Sequence, residues 1–435
     1  MEEKRLMSEM SRPHIPIVSD TLEVEALDSE QIEQLEQLEA QPLPTKAERV
    51  EIEVVVAGSI CLHIIPTLID SILSFQLGQQ IEAGKATLAI GGAVSNTGLA
   101  LHKLGVNTRL MGKVGNDLFG QAIFQIIEEQ GPELVGGMII ASGEDSSYSI
   151  ILNTPEVGRV IVYSSGCNDT FMASDMRYDL LEQARLLHFG YPSQMARMYY
   201  DNGTELVRLF KRAKLHGVTT SLALCMPDSS SAAAQADWQA ILRATLPYVD
   251  IFLPTIEALL FMLHRPLFDQ LISQAGESDI VTLIIPSLVA ELGQYLLHMG
   301  AKMLCIKVGQ RGLYLRTANN DALATMGLAQ PLSRELWTQR ELWRPCFVPQ
   351  KMGTGTTEAD DATSAGFLLG LLRDMTPETT LYTACAVGTC NLEMLETIRD
   401  IQYGPPLHTP QDGQFAAAGW RWNVEHEVWI GPEDR

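Results

Sequence analysis

The stretch GTGTTEADDATSAGFLLG, Gly353 to Gly370, decides how this chain is read. A strand-like segment, PCFVPQ, leads into it. Small residues follow, and the apolar pattern after them predicts a helix opening at about Asp361. Backbone N–H groups at such a start attract anions. Yet Glu358, Asp360 and Asp361 set three carboxylates where the anion would sit.

Upstream, apolar runs and helical patterns alternate. VVVAGSICL reads as a buried strand, and LAIGGAVSNTGLALHKLG as strand, glycine turn and helix. TRLMGKVG is a further strand, and FGQAIFQIIEEQG an amphipathic helix. SYSIILNT and GRVIVYSS pair as a hairpin with a turn near PEVG. ARLLHFGYP, VTTSLAL, DIFLPT and KMLCIKVG are strands with helices between them. This alternation predicts a mostly parallel sheet between helix layers, with a smaller sheet from the early hairpins.

The flanks differ. Residues 1–48 form an acidic arm, with a short solvated helix expected at LDSEQIEQLEQLEA; a partner-binding helix is the other reading. The main domain is expected over 49–404. PPLHTPQDGQ is then a linker to a tryptophan-rich extension within 405–435, AAGWRWNVEHEVWIG, expected as a hairpin packed on the body.

Composition narrows the class. The chain has 435 residues, 46% of them hydrophobic, and a net charge of −22. That charge argues against nucleic acid, whose phosphates need clustered cations. No apolar run is long enough to span a membrane, and the start has no secretory h-region. The seven cysteines are scattered without a CxxC pair, so reduced thiols in a cytoplasm are expected. Neither a Walker GxxxxGK[ST] nor a GxGxxG after a strand is present.

Four sets of residues have the chemistry of a site. Gly91 and Gly92 let backbone approach a ligand, and Asn96 offers both donor and acceptor to a polyol. A tight turn with a capping Asn would explain them equally. Gly309 and Gly312 in KVGQRGLYL form a turn able to lie under a nucleotide, or an ordinary hairpin turn. In DIFLPTIEALLFML, Thr255 and Glu257 are candidates, or a cap with its first-turn acid. Asp361 has the place of a carboxylate that takes a hydroxyl proton during phosphoryl transfer, or of an N-cap.

In this order, GGAVSNTGLALHKLG, GKVGNDLFG, KVGQRGLYL and DATSAGFLLGLL resemble the ribokinase-like, or PfkB, carbohydrate kinases over roughly residues 52–400. The resemblance implies a three-layer α/β/α Rossmann-like body with a small β lid. It implies ATP, Mg²⁺ and transfer of the γ-phosphoryl group to a hydroxymethyl of a sugar or nucleoside. Gly92 and Asn96 would contact the sugar, with Gly91 and His63 beside them. Gly309 and Gly312 would lie near the nucleotide. Glu358, Ala359 and Asp360 would form the anion-hole turn, and Asp361 would be the base. The resemblance implies a small-molecule sugar or nucleoside as partner; charge and hydropathy point to neither nucleic acid nor membrane, and a homodimer stays open.

The chain departs from the family at several of these points. The turn GAGD reads Glu358-Ala359-Asp360-Asp361, and His63 replaces a sugar-facing Asp. The NxxE motif, which helps organise Mg²⁺, reads Thr255-Ile256-Glu257-Ala258, leaving Glu257 as the one candidate near the metal. Ala223 stands where many members carry an Asp. Two like charges ~4 Å apart repel by about 4 kcal/mol at an effective dielectric near 20. Half of that slows a reaction about 30-fold. Attenuated kinase activity is therefore expected. An inactive pseudokinase that binds a small molecule or a partner is the alternative, as is a scaffold acting through the arm and the tail.

Overall fold

The computed structural model describes residues 52–68, 80–154, 158–276, 278–347, 356–389 and 413–435. The acidic arm, the hairpin turn at 155–157 and most of the linker lie outside the described residues. So does the start of the opening stretch, 353–355.

In chain order the strands are β1 (Ile52–Gly58), β2 (Cys61–Leu68), β3 (Ala83–Gly91), β4 (Thr108–Met111), β5 (Lys113–Gly115), β6 (Ile139–Ala141), β7 (Tyr148–Thr154) and β8 (Gly158–Ser164). They continue as β9 (Ala184–Gly190), β10 (Thr219–Leu224), β11 (Ile251–Pro254), β12 (Met303–Lys307), β13 (Leu313–Thr317), β14 (Glu341–Arg344), β15 (Arg421–Asn423) and β16 (Val428–Ile430). Four helices matter for the site: α1 (Ala93–Lys103), α2 (Leu118–Gln130), α3 (Ile256–Leu263) and α4 (Thr356–Leu372).

The main sheet has ten strands in the order β15-β16-β14-β13-β12-β11-β10-β9-β1-β4. From β4 to β12 its pairs are parallel. The apolar runs explain this, since strands covered on both faces need no polar alternation. β10, β11 and β12 are accordingly buried along their whole length. Val54, Val56 and Leu186 of the sheet pack with Leu101 of α1 and Phe367, Leu368 and Leu371 of α4.

The expected small sheet is present, in the order β3-β2-β7-β8. β7 and β8 form the antiparallel hairpin, and β2 joins β7 in parallel. The stretch TRLMGKVG divides: β4 edges the main sheet, while β5 pairs with β6 in a separate two-stranded sheet. GKVGNDLFG between them is a folding element. Asp117 caps α2 by accepting from Gly120 N at 2.7 Å and also takes Ser146 N at 2.8 Å.

Of the strand expected at PCFVPQ, residues 348–350 lie outside the described residues; the described strand just ahead of it, β14, stops before Pro345, which has no N–H to continue a ladder. The helix expected to open near Asp361 opens at Thr356. TTEADD has no glycine to hold an open turn, Ala359 favours helix, and acidic side chains suit a helix N-terminus.

The tryptophan-rich tail packs on the body as expected. β16 pairs antiparallel with β14, Trp343 opposite Trp429, and β15 completes the edge. Phe415 stacks on Trp429 at 4.9 Å and meets Trp343 edge-on at 5.0 Å. Arg340 reaches Asp434 at 3.0 Å and Glu378 at 2.7 Å. The described cysteines are all free. Among the described residues no helix is long and apolar enough to cross a membrane.

The turn after β12 is held by glycine backbone. Gly312 has φ of 105°, and a β-carbon there would lie 1.9 Å from the Arg344 carbonyl oxygen. Gly312→Ala should therefore cost about 2–4 kcal/mol, combining left-handed strain with a backbone shift. Urea unfolding checks this, and an unchanged midpoint would contradict it.

Candidate active site

The chain runs from β1 to β4 on one side and later to β9 on the other. In open α/β sheets the carboxyl ends of strands at such a reversal border the ligand crevice. Here those ends touch closely: Ser59 N donates to Gly190 O at 3.3 Å, and Val94 N at the start of α1 donates to Ser59 O at 3.2 Å. A β-carbon on Gly92 would come within 2.5 Å of Ser59 O, so the turn into α1 requires glycine. A β-carbon on Gly91 would come within 2.0 Å of the His63 ring. His63 thus lies against the Gly91–Gly92 turn.

Asp361 projects from the second turn of α4 and is completely buried. Asn96 Nδ2 donates to Asp361 Oδ2 at 2.9 Å, and Thr97 Oγ1 donates to Oδ1 at 3.2 Å. The candidate sugar ligand and the candidate base, far apart in sequence, therefore meet directly. Burial pushes Asp361 up to about 6, and Asp360 pushes in the same direction. Lys307, Asn96 and Tyr191 oppose them.

The acidic turn differs in shape from the expected anion hole. Glu358 stands in the first turn of α4, and Ala359 O accepts from Thr363 Oγ1 at 2.8 Å. Asp360 O accepts from Ser364 Oγ at 3.0 Å and from Lys307 Nζ at 3.4 Å. The Asp360 carboxyl is raised by burial against the pull of Lys307. Glu358, Ala359 and Asp360, expected in the anion-hole turn, lie within α4 ahead of Asp361.

Gly309 and Gly312 flank a short 3₁₀ turn between β12 and β13, both in left-handed backbone, at φ of 48° and 105°. Val308 N donates to Gly312 O at 2.8 Å. Trp343 Nε1 donates to Arg311 O at 2.9 Å and backs the turn from the tail side. Lys307, at the end of β12, links this turn to α4 through Ser364 Oγ at 3.2 Å.

Thr255 caps α3 by accepting from Ala258 N at 3.2 Å. Burial lifts Glu257 to about 7, with Asp360 and Asp279 adding to it. Ala258 is fully buried. Among the described residues no three His, Cys, Asp or Glu side chains are placed to hold a metal. Glu257, a single carboxylate, would hold Mg²⁺ only together with the phosphates of a nucleotide.

Four residues of the site escaped the sequence reading. Thr97 is Asn96's neighbour, and helical geometry alone turns both toward α4. Lys307 was legible only as the end of a strand. Tyr191 gave no sequence signal. His188 of β9 is buried, bonds Ser221 Oγ at 2.9 Å and is pushed down to about 3 by burial, with Lys307 adding to it.

The sequence profile of the pfkB family carbohydrate kinases matches residues 52–402, and the chain belongs to that family. Fructokinase-1 of Zea mays is 26% identical over 145 residues, 33% of this chain and 42% of its own length. An uncharacterized sugar kinase of Archaeoglobus fulgidus is 23% identical over 63% of this chain and 87% of its own. Among solved structures, Arabidopsis thaliana ribokinase complexed with ribose and ATP superposes with a TM-score of 0.60. That match has 15% identity and covers 81% of this chain and 100% of the ribokinase. The fold is thus the ribokinase fold. The chain spans less than half the length of the maize fructokinase it matches.

Proposed function

We propose that this protein transfers the γ-phosphoryl group of ATP to a hydroxymethyl group of a sugar or nucleoside, at an attenuated rate. One observation carries this reading. Asp361 is buried in the second turn of α4, lifted to about 6 and bonded by Asn96 and Thr97. A carboxylate so tuned takes a proton near neutral pH more readily than an exposed one ionised throughout that range. The acceptor oxygen would attack the phosphorus as its proton passes to Asp361, and ADP would leave. The Gly309–Gly312 turn would lie along the nucleotide. Glu358 and Asp360 add charge where the transferring group is itself negative, which slows the step.

A second reading is a pseudokinase that binds a small molecule. It is favoured by the complete enclosure of Asp361 and its direct pairing with Asn96. A panel of sugars and nucleosides with ATP and Mg²⁺ tests both readings, by product formation and by melting temperature. Weak turnover is expected. Asn96→Ala should weaken sugar binding about tenfold, the loss of one good hydrogen bond. Melting shifts without product would support the pseudokinase. Affinity unaltered in Asn96→Ala would remove Asn96 from the sugar site.

A further inference from the structure

We infer that the C-terminal extension positions the Gly309–Gly312 turn, with Gln414 and Phe415 gripping the Arg311 side chain at its centre. The extension lies beyond the family match, which ends at residue 402. Arg311 is 5% exposed although it stands in a turn. Its Nη1 donates to the Ile284 carbonyl, and its Nη2 donates to Gln414 Oε1 at 3.4 Å. Its Cζ lies over the rings of Trp343 and Phe415, 5.8 Å from each centroid. A guanidinium at that distance is attracted to a ring face. An arginine beside a nucleotide turn would ordinarily offer its cation to phosphate. Here the short helix Gly413–Ala417 helps to hold it as an anchor.

The backbone around the turn is fixed from the same side. Trp343, which donates to Arg311 O, meets Phe415 edge-on and stands opposite Trp429 of β16. The Arg344 carbonyl closes on Gly312. Arg344 is itself tied to the extension, with Nη1 donating to His426 O at 2.7 Å and Nη2 to Glu427 Oε2 at 2.9 Å. Arg311, Trp343 and Arg344 fix the turn, and each touches the extension directly. Two left-handed glycines leave the turn little preference of its own, so outside contacts must select its shape. A turn ordered in advance binds more tightly than one its ligand must order.

The grip itself does not require a nucleotide. Its effect on nucleotide affinity rests on the kinase reading. The test is Phe415→Leu and Gln414→Ala in the full chain, singly and together. Phe415→Leu keeps most of the buried volume and removes the ring face. Gln414 is exposed, so Gln414→Ala keeps the test open should Phe415→Leu fail to fold. Hydrogen exchange at Val308, Arg311 and Gly312, whose amides bond within the turn, should quicken about tenfold in the double variant and about threefold in Gln414→Ala. Exchange in β11 should not change. Affinity for ATP with Mg²⁺ should weaken about tenfold in the double variant while sugar affinity holds. Where turnover is measurable, KM for ATP should rise at constant kcat. In an Arg311→Met background the two substitutions should have no further effect, since they act through that side chain. Turn amides protected as in the native protein would overturn the proposal. So would ATP and sugar affinities falling in equal proportion, the mark of a merely structural tail, or an unchanged affinity in a protein that binds ATP. Faster exchange with no ATP binding in native or variant leaves the grip standing and counts against the nucleotide reading alone.

Discussion

Replacing Glu358 and Asp360 together by glycine should raise phosphoryl transfer about 30-fold, and only while Asp361 is intact. The estimate takes one misplaced carboxylate beside the transferring phosphate as worth about 2 kcal/mol. The structure adds a second contribution. Both positions are helical, with Asp361 in the second turn of α4. Glycine costs a helix roughly 1 kcal/mol per position. Two glycines should unwind the start of α4 toward an opening at Asp361 and turn its free N–H groups on the phosphate. The effects act on one group and should be coupled rather than additive. Glutamate at 258, the remaining family residue, does not belong in this variant. Ala258 is completely buried, and a carboxylate there would lack solvent and a partner. Turnover of the native protein, the double variant and the double variant carrying Asp361→Asn checks the prediction. A double variant no faster than native would show that the acidic turn is a working form of the site.

Asp361→Asn should stabilise the protein at neutral pH by up to about 3 kcal/mol while removing its activity. The sign follows from the carboxyl being raised from 3.8 to about 6 on folding. Between these values the folded state binds more protons than the unfolded one. Stability contributed by this group is present below about 4, declines as pH rises through about 6, and is then flat. Asparagine does not titrate, so the variant loses that decline. Unfolding midpoints of both proteins from pH 4 to 8 should converge at the acid end and separate above pH 6. Parallel curves would mean that Asp361 is not buried as an acid.

Much of this was legible in the sequence because local pattern and global fold agree. The runs VVVAG, ARLLHFG and VTTSLAL end at glycines or turns, and each became a strand of the parallel sheet. Gly92, Gly309 and Gly312 could be read because backbone freedom is written into residue type. The start of α4 was misread because the motif's glycines set the expectation, while the residues present, TTEADD, obey helix propensity instead. Tyr191 was illegible for the opposite reason. Nothing in GYPS announces left-handed backbone at a tyrosine; there the end of β9 is held by Ala223 of the neighbouring strand. The burial of Lys307 and of Ala258 likewise depends on packing across distant segments.

The tryptophan hairpin that closes the sheet has a consequence for synthesis. β14 waits for β16, and about eighty residues separate Arg344 from Val428. At roughly 5–20 residues per second, the ribosome needs about 4–16 s to make them. Throughout that interval Leu342 and Trp343 present an uncovered strand edge, of the kind that recruits other chains. The nascent protein should therefore depend on chaperone shielding late in translation, and ribosomes stalled between residues 345 and 420 should release aggregating products.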